Sequence, residues 1–460
     1  MAQLPDVSVA EYSAASRSPS ESMPTREGSA GLAAKGPACV AVDLTPVLPG
    51  GENGGARVFV LELLRQLFAL APQTHFVLLT QAASHEQLAE LDRPNVTRRL
   101  VVGKLVGGTL RSSLVAAARW GLPLLPKPLR RWSGRLGYGL HTALKRGGAS
   151  TRLRRWGVDL LFCPFTAPTY REPGIATVCV LYDLQFKEYP TFFTDEDLAN
   201  REHAFVEACR RASRMVTISA YSRAVALSQG CADPERVVAI PLRMARRLSC
   251  EHQESGRTLA DFGLAAKAYL VYPANFWPHK NHVRLLEAFL RARERGLPTG
   301  IKLLCTGAPG PGMEALRERA RDMGLEAVVA LPGYVSDADL GNLMARSAGL
   351  VFPSLYEGFG LPVLEAMAAG IPVACSNCTA LPEVAGDAAI YFDPMSADDI
   401  AQALISLAKD QRHRAALLRA GLARARDYED ARRMADDYWR VFQEAVASAR
   451  ASVTGSARAG

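Results

Sequence analysis

Pro353-Ser-Leu-Tyr-Glu-Gly-Phe-Gly-Leu-Pro-Val-Leu-Glu-Ala-Met-Ala-Ala-Gly370 carries the densest chemistry of this 460-residue chain. Val351 and Phe352 read as the end of a buried strand, Gly358 and Gly360 let the backbone turn tightly, Pro362 suits a first helical position, and Gly370 suits the position past a helix end. The stretch is therefore strand, tight loop and short helix. N–H groups at such a helix start, with the dipole behind them, attract anions, so the amides from Gly360 through Leu361 to Val363 form a candidate phosphate cradle. Two carboxylates flank it. Glu357 can accept hydrogen bonds from sugar hydroxyls and Glu365 can take both hydroxyls of a ribose diol; first-turn charge complementing the dipole is the competing reading of Glu365.

Outward from this stretch, short apolar runs alternate with helical patterns. The first half holds Ala38–Asp43, His75–Thr80, Asp159–Cys163, Ile175–Tyr182 and Met215–Ser219; the second holds Tyr269–Pro273, Ile301–Thr306, Ala327–Leu331 and Gly349–Pro353. Between them, Val58, Leu61, Leu64, Leu67 and Phe68 recur at helical spacing, as do the apolar residues of 282–295 and 338–346. Such alternation predicts an α/β protein of two doubly wound, Rossmann-like domains facing a central cleft. The boundaries expected are a disordered tail at 1–36, an N-terminal domain at 37–245, a C-terminal domain at 246–426 and a final helix at 427–450.

Hydrophobic content of 48% and charged content of 22% are those of a chain that buries a sizeable core, and exclude a disordered polymer. No stretch approaches the ~18 apolar residues of a membrane span, and the N-terminus lacks a signal-peptide pattern, so export and integral insertion are not expected. The nine cysteines lack framework spacing; Cys375 and Cys378 form a CxxC without a second ligand pair, so no metal site is expected and they read as small residues in a turn. Charge is unevenly placed. Between Arg93 and Val158 there are fifteen Lys and Arg and no Asp or Glu, in a chain whose net charge is +8, so the remainder is acidic. With Trp120, Trp132 and Trp156 interleaved, this reads as a basic insertion that docks on anionic lipid head groups; a solvated basic face is the alternative, and nothing accompanies it to suggest nucleic acid.

Glu357 and Glu365 stand in an E-x7-E spacing inside a segment that closely resembles the signature of the retaining glycosyltransferases of family 4, which have the GT-B fold. Gly333-Tyr-Val-Ser-Asp-Ala-Asp-Leu340, Leu381-Pro-Glu-Val-Ala-Gly386, Tyr272-Pro-Ala-Asn-Phe-Trp-Pro-His-Lys-Asn281 and Thr217-Ile-Ser-Ala-Tyr-Ser222 follow the same family's order. The resemblance implies that Lys280 binds the donor diphosphate, Glu357 the donor sugar and Glu365 the ribose, with Gly358 and Phe359 in the same loop. It also implies that Tyr334 and Val335 lie by the base, and that Gly54 and Gly55 approach the donor phosphate ahead of Arg57. Asp183 fits the end of an N-domain strand near the reacting sugar. A final helix that crosses back to the N-domain is the family's ending; a surface helix of the C-domain is the alternative reading of the same residues.

Two positions depart from the pattern. Asn275, still counted among the donor-binding candidates, stands where many members carry a second phosphate-clamping Arg, and Tyr182 stands where a histidine often precedes the aspartate. The function implied is transfer of a hexose, mannose slightly favoured and GDP-mannose the candidate donor, to a hydroxyl of a glycan or lipid-linked acceptor in bacterial envelope or exopolysaccharide assembly. Lys280, Glu357 and Asp183 are the catalytic candidates, no metal or cofactor is called for, and the setting expected is the cytoplasmic face of the plasma membrane. The alternatives are a non-catalytic sugar-nucleotide-binding scaffold and a nucleotide-sugar epimerase. A dehydrogenase is disfavoured because Gly50-Gly-Glu-Asn-Gly-Gly55 lacks the G-x-G-x-x-G spacing.

Overall fold

The structure is a computed structural model and describes residues 36–48, 54–103, 152–248 and 259–458. Seven strands, β1 (Cys39–Asp43), β2 (His75–Gln81), β3 (Val96–Val102), β4 (Leu160–Cys163), β5 (Ala176–Leu181), β6 (Arg214–Thr217) and β7 (Val237–Ala239), form a parallel sheet in the order β3-β2-β1-β4-β5-β6-β7. Six more, β8 (Tyr269–Pro273), β9 (Lys302–Thr306), β10 (Val329–Gly333), β11 (Gly349–Phe352), β12 (Val373–Ser376) and β13 (Ala389–Phe392), form a second in the order β10-β9-β8-β11-β12-β13. Parallel sheets need cover on both faces, which is why the central strands are largely apolar: β1, β5, β8 and β11 are buried at every residue.

The principal helices are α1 (Gly54–Leu70), α2 (Asp195–Arg211), α3 (Ala220–Ser228), α4 (His282–Glu294), α5 (Pro311–Asp322), α6 (Asp337–Arg346), α7 (Leu361–Ala368), α8 (Leu381–Ala385), α9 (Ala397–Lys409), α10 (Gln411–Arg426) and α11 (Ala431–Arg458). Helix α11 packs on α1 and on β4 and β5 of the N-terminal sheet. Its Tyr438 ring lies 6.1 Å from that of Phe59 and 6.0 Å from that of Phe162, and Phe442 lies 5.0 Å from Phe162. Aromatic pairs at these separations add to plain area burial and tie the end of the chain to the first sheet.

Two readings change. The basic segment 93–158 is not an insertion from its first residue, because Val96–Val102 is the edge strand β3, paired with β2. Its Arg98 is tied to Asp92 at 2.7 Å, so part of the positive charge is a local ion pair. Residues 104–151 of the segment, and the tail up to residue 35, lie outside the described residues. Cys375 is also not in a turn: it sits in β12, a buried interior strand. Burial pushes its thiol well above the ordinary range and that of Cys378 up to about 12, so both are protonated.

Candidate active site

A doubly wound sheet opens where its winding reverses, between the first strand and the neighbour on its other side. In the C-terminal sheet that gap lies between β8 and β11. The loop after β8 carries Lys280 in the turn Pro278–Lys280, and the loop after β11 carries Glu357. Topology alone thus predicts that they meet, and Lys280 Nζ donates to Glu357 Oε1 at 2.5 Å with both side chains largely buried. Lys280 also lies 5.6 Å from the Phe352 ring centroid, within cation–π range.

The two loops are braced against each other. Leu355 N donates to the carbonyl of His279 (2.8 Å), Asn281 Nδ2 donates to the carbonyls of Pro353 (3.0 Å) and Pro394 (2.8 Å), and Glu357 N donates to Thr379 Oγ1 (3.2 Å). Burial, with the nearby Lys280 charge, pushes His279 down to about 3, and the same causes push His282 down to about 3. Both are neutral imidazoles at physiological pH, so Lys280 is the cation beside Glu357.

Asp183 follows β5 of the facing domain, and its Oδ1 accepts from Gln185 N at 3.1 Å. Burial raises its pKa, opposed by the Gln185 N–H, Arg201 and Lys280, while Glu357 adds to the rise. Domain contact here is close. A Cβ on Gly358 would lie 2.2 Å from the Tyr182 carbonyl oxygen and 3.2 Å from Asp183 Cβ, so only glycine lets the loop reach the end of β5. The three catalytic candidates therefore converge on one place, two from the C-terminal sheet and one from the N-terminal sheet.

The cradle is narrower than the sequence suggests. Pro362 has no N–H and Val363 N donates to the Gly360 carbonyl (3.0 Å), which narrows the amide donors at the start of α7 to Gly360 and Leu361. Gly360 adopts φ 106°, a left-handed turn that aims α7, and Phe359 beside it is buried. Glu365 is only 3% exposed, and burial raises its pKa against the pull of Arg247. Arg247 comes from the connection between the domains: its Nε donates to Glu365 Oε1 at 2.7 Å and its Nη1 to Asp337 Oδ2 at 2.6 Å. Sequence reasoning missed Arg247. The available signal was a basic pair, Arg246-Arg247, in a boundary segment that otherwise needs no charge.

A family model described as glycosyl transferases group 1 matches residues 261–424. The O-antigen chain mannosyltransferase B of Escherichia coli is 30% identical over 275 residues, covering 57% of this chain and 68% of that protein. The chain belongs to the group 1 glycosyltransferases. The MMP α-(1→4)-mannosyltransferase of Mycolicibacterium hassiacum is 30% identical over 258 residues, covering 54% of this chain and 59% of that protein. Among solved structures, Anabaena HepE in complex with UDP and glucose superimposes with a TM-score of 0.60 at 18% identity, over 87% of this chain and 98% of HepE. The shared architecture is that of the GT-B glycosyltransferases.

In this glycosyltransferase the remaining expected positions divide. Gly54 and Gly55 open α1. Val335 is buried at the end of β10, whereas Tyr334 beside it is 71% exposed and presents a free aromatic face. Asn275 Oδ1 accepts from Ala308 N at 2.8 Å and ties the β8 loop to the loop after β9. Tyr182 turns its ring onto Phe59, 6.0 Å away edge-on, and Phe165, 6.5 Å away. A tyrosine is thus accommodated by apolar packing where a histidine would present a ring nitrogen. Among the described residues no helix is long and apolar enough to cross a membrane.

Proposed function

We propose that this glycosyltransferase moves a hexose, mannose favoured and GDP-mannose the candidate donor, to a hydroxyl of a glycan or lipid-linked acceptor in envelope polysaccharide assembly, with retention and without a metal. The observation that carries the reading is the Lys280–Glu357 pair at 2.5 Å, set at the sheet's switch point and facing Asp183. An ammonium has three donors, so Lys280 can keep Glu357 and still hold an oxygen of a leaving diphosphate, where negative charge grows as the sugar departs. Glu357 then accepts from hydroxyls of the donor sugar, and Glu365 from the ribose diol. The bond from the anomeric carbon to the diphosphate breaks as the bond to the acceptor oxygen forms on the same face, and the acceptor proton passes to the departing diphosphate. Asp183 orients the sugar from the opposite domain. The mannose preference rests on the names of the two relatives above.

The test is thermal stabilisation by a panel of nucleoside diphosphates and their sugars, repeated with Lys280→Ala and Glu365→Ala. One nucleotide class should raise the melting temperature by mass action and both substitutions should weaken the shift. Stabilisation that both variants retain in full would reject these residues as the donor site. Proton NMR of the product then reads the anomeric configuration, an inverted product refuting retention. For the basic segment 93–158, flotation with anionic and neutral liposomes should show binding only to the former.

A further inference from the structure

The contact that closes the two domains on each other includes bonds made by groups that do not themselves react. Helix α3 of the N-terminal domain starts at the cleft, with Ser219 as its cap; Ser219 Oγ accepts from Ser222 N at 3.0 Å. The two N–H groups before that one, which no residue of the helix itself can satisfy, are taken by the other domain. Ala220 N donates to Glu383 Oε1 at 2.8 Å and Tyr221 N donates to Glu383 Oε2 at 2.8 Å. Glu383 belongs to α8 of the C-terminal domain, so a carboxylate from one domain caps a helix of the other, aligned with that helix's dipole.

Of the neighbouring bonds, one crosses between the domains and one stays within the N-terminal domain. Ser219 Oγ donates to the carbonyl of Gly358 at 2.7 Å, and Ser222 Oγ donates to the carbonyl of Tyr182 at 3.0 Å. Gly358 follows Glu357, and Tyr182 precedes Asp183, so the cap sits one residue from each side of the candidate catalytic cluster. Behind Glu383, Arg424 near the end of α10 donates to the carbonyls of Glu383 (2.6 Å) and Val384 (3.0 Å) and to Tyr428 Oη (2.9 Å). The Tyr428 carbonyl in turn accepts from Ala245 N of the interdomain connection at 3.0 Å. Glu383 is thus braced by hydrogen bonds that run to the interdomain connection.

We propose that Glu383 is a positioning residue for glycosyl transfer: its carboxylate, clamped on the first two N–H groups of α3, holds the cleft closed and so holds Asp183 against the Lys280–Glu357 pair. The assignment rests on the reading that those three residues form the reacting end of the site. The nucleotide-binding candidates Lys280, Val335 and Glu365 all belong to the C-terminal domain, so loss of the clamp should spare nucleotide affinity and lower turnover. That division separates a clamp from a general packing role.

Two substitutions attack the clamp from opposite sides. Glu383→Ala removes the acceptor. Ala220→Pro removes one donor at the first helical position, where proline is favoured and where the preceding Ser219, at φ −155° and ψ 161°, is already extended. Nucleoside diphosphate release from GDP-mannose and from UDP-glucose measures kcat and KM, calorimetry measures GDP and UDP affinity, and amide exchange reads residues 220 and 221 directly. Expected for Glu383→Ala are a kcat lower by about 10- to 100-fold, nucleotide affinity within about threefold, and faster exchange at both amides. Ala220→Pro should show a smaller fall in kcat, and Glu383→Asp should recover part of the loss. Unchanged kcat in both Glu383→Ala and Ala220→Pro, with Lys280→Ala still inactive, would overturn the proposal and leave the site reading intact. Full turnover in Lys280→Ala would reject the site reading itself and the proposal with it.

Discussion

After β1, the N-terminal sheet spends a buried carboxylate on its own turn: Asp43 Oδ1 accepts from Thr45 N at 3.0 Å and Thr45 Oγ1 at 2.7 Å. After β8, the equivalent place in the C-terminal sheet, Lys280 reaches out of its loop to Glu357 from the strand across the switch point. Two sheets of the same winding thus use the same structural opening differently, one to hold itself together and one to present opposite charges to a cleft. Chemistry follows from the loops that the winding brings together, and a strand order by itself assigns none.

The largest expected effect breaks this comparison at its functional end. Lys280→Ala should lower kcat by about 10²–10³-fold, the range for loss of one donor aimed at developing negative charge, beyond any stability lost by leaving the largely buried Glu357 without its cation. Steady-state kinetics beside calorimetry decide it; a large fall in stability with modest loss of turnover would make Lys280 structural, as Asp43 is. Next is Arg247→Met. It leaves Glu365, 3% exposed, without its 2.7 Å partner, and breaking a buried pair from one side costs about 3 kcal/mol. The double variant Arg247→Met with Glu365→Gln should regain most of that loss in denaturant titrations. If the single variant is as stable as the parent, the pair does not govern the hinge-side wall of the site.

How far the sequence discloses this arrangement depends on burial. Central strands such as Val40–Val42 and Leu270–Tyr272 are unbroken apolar runs because both faces are covered, and they read directly. β3, β7 and β13 are edge strands with mixed exposure, and β12 is four residues long beside a CxxC that draws attention elsewhere; none has a periodic signature. The site divides the same way. Lys280, Glu357 and Glu365 lie in local motifs beside glycines and prolines that mark strand ends and helix starts, and the resemblance of those motifs to the family's identifies them. Arg247 and Glu383 act across long separations, 118 residues for Arg247 with Glu365 and 163 for Glu383 with Ala220, which no local pattern encodes.

A smaller effect sharpens the comparison through pH. His282 is buried between the rings of Tyr272 and Phe276, with its pKa pushed down to about 3 from 6.5. The unfolded chain binds this proton below about pH 6.5 while the native chain refuses it until about pH 3, so native stability is lost as pH falls through that window. At pH 5 the penalty is about 2 kcal/mol, from ~1.4 kcal/mol per unit. His282→Phe should therefore flatten the fall in stability between pH 7 and pH 5 by about one proton. An unaltered slope would place the acid sensitivity elsewhere.

The smallest effect is expected at the N-terminal counterpart. Asp43→Asn keeps an oxygen that can accept from Thr45 N and Thr45 Oγ1 and weakens those bonds by their charge assistance, a cost of about 1 kcal/mol. Because the turn serves β1 and not the reacting groups, kcat and KM should stay within about threefold of the parent while the unfolding midpoint drops slightly. The contrast with Lys280→Ala is informative because Asp43 ends, and Lys280 follows, the first strand of sheets wound alike. Should Asp43→Asn instead lower kcat as Lys280→Ala does, with its fold intact, then the N-terminal switch point contributes a charge to the reaction and the two halves divide the chemistry between them.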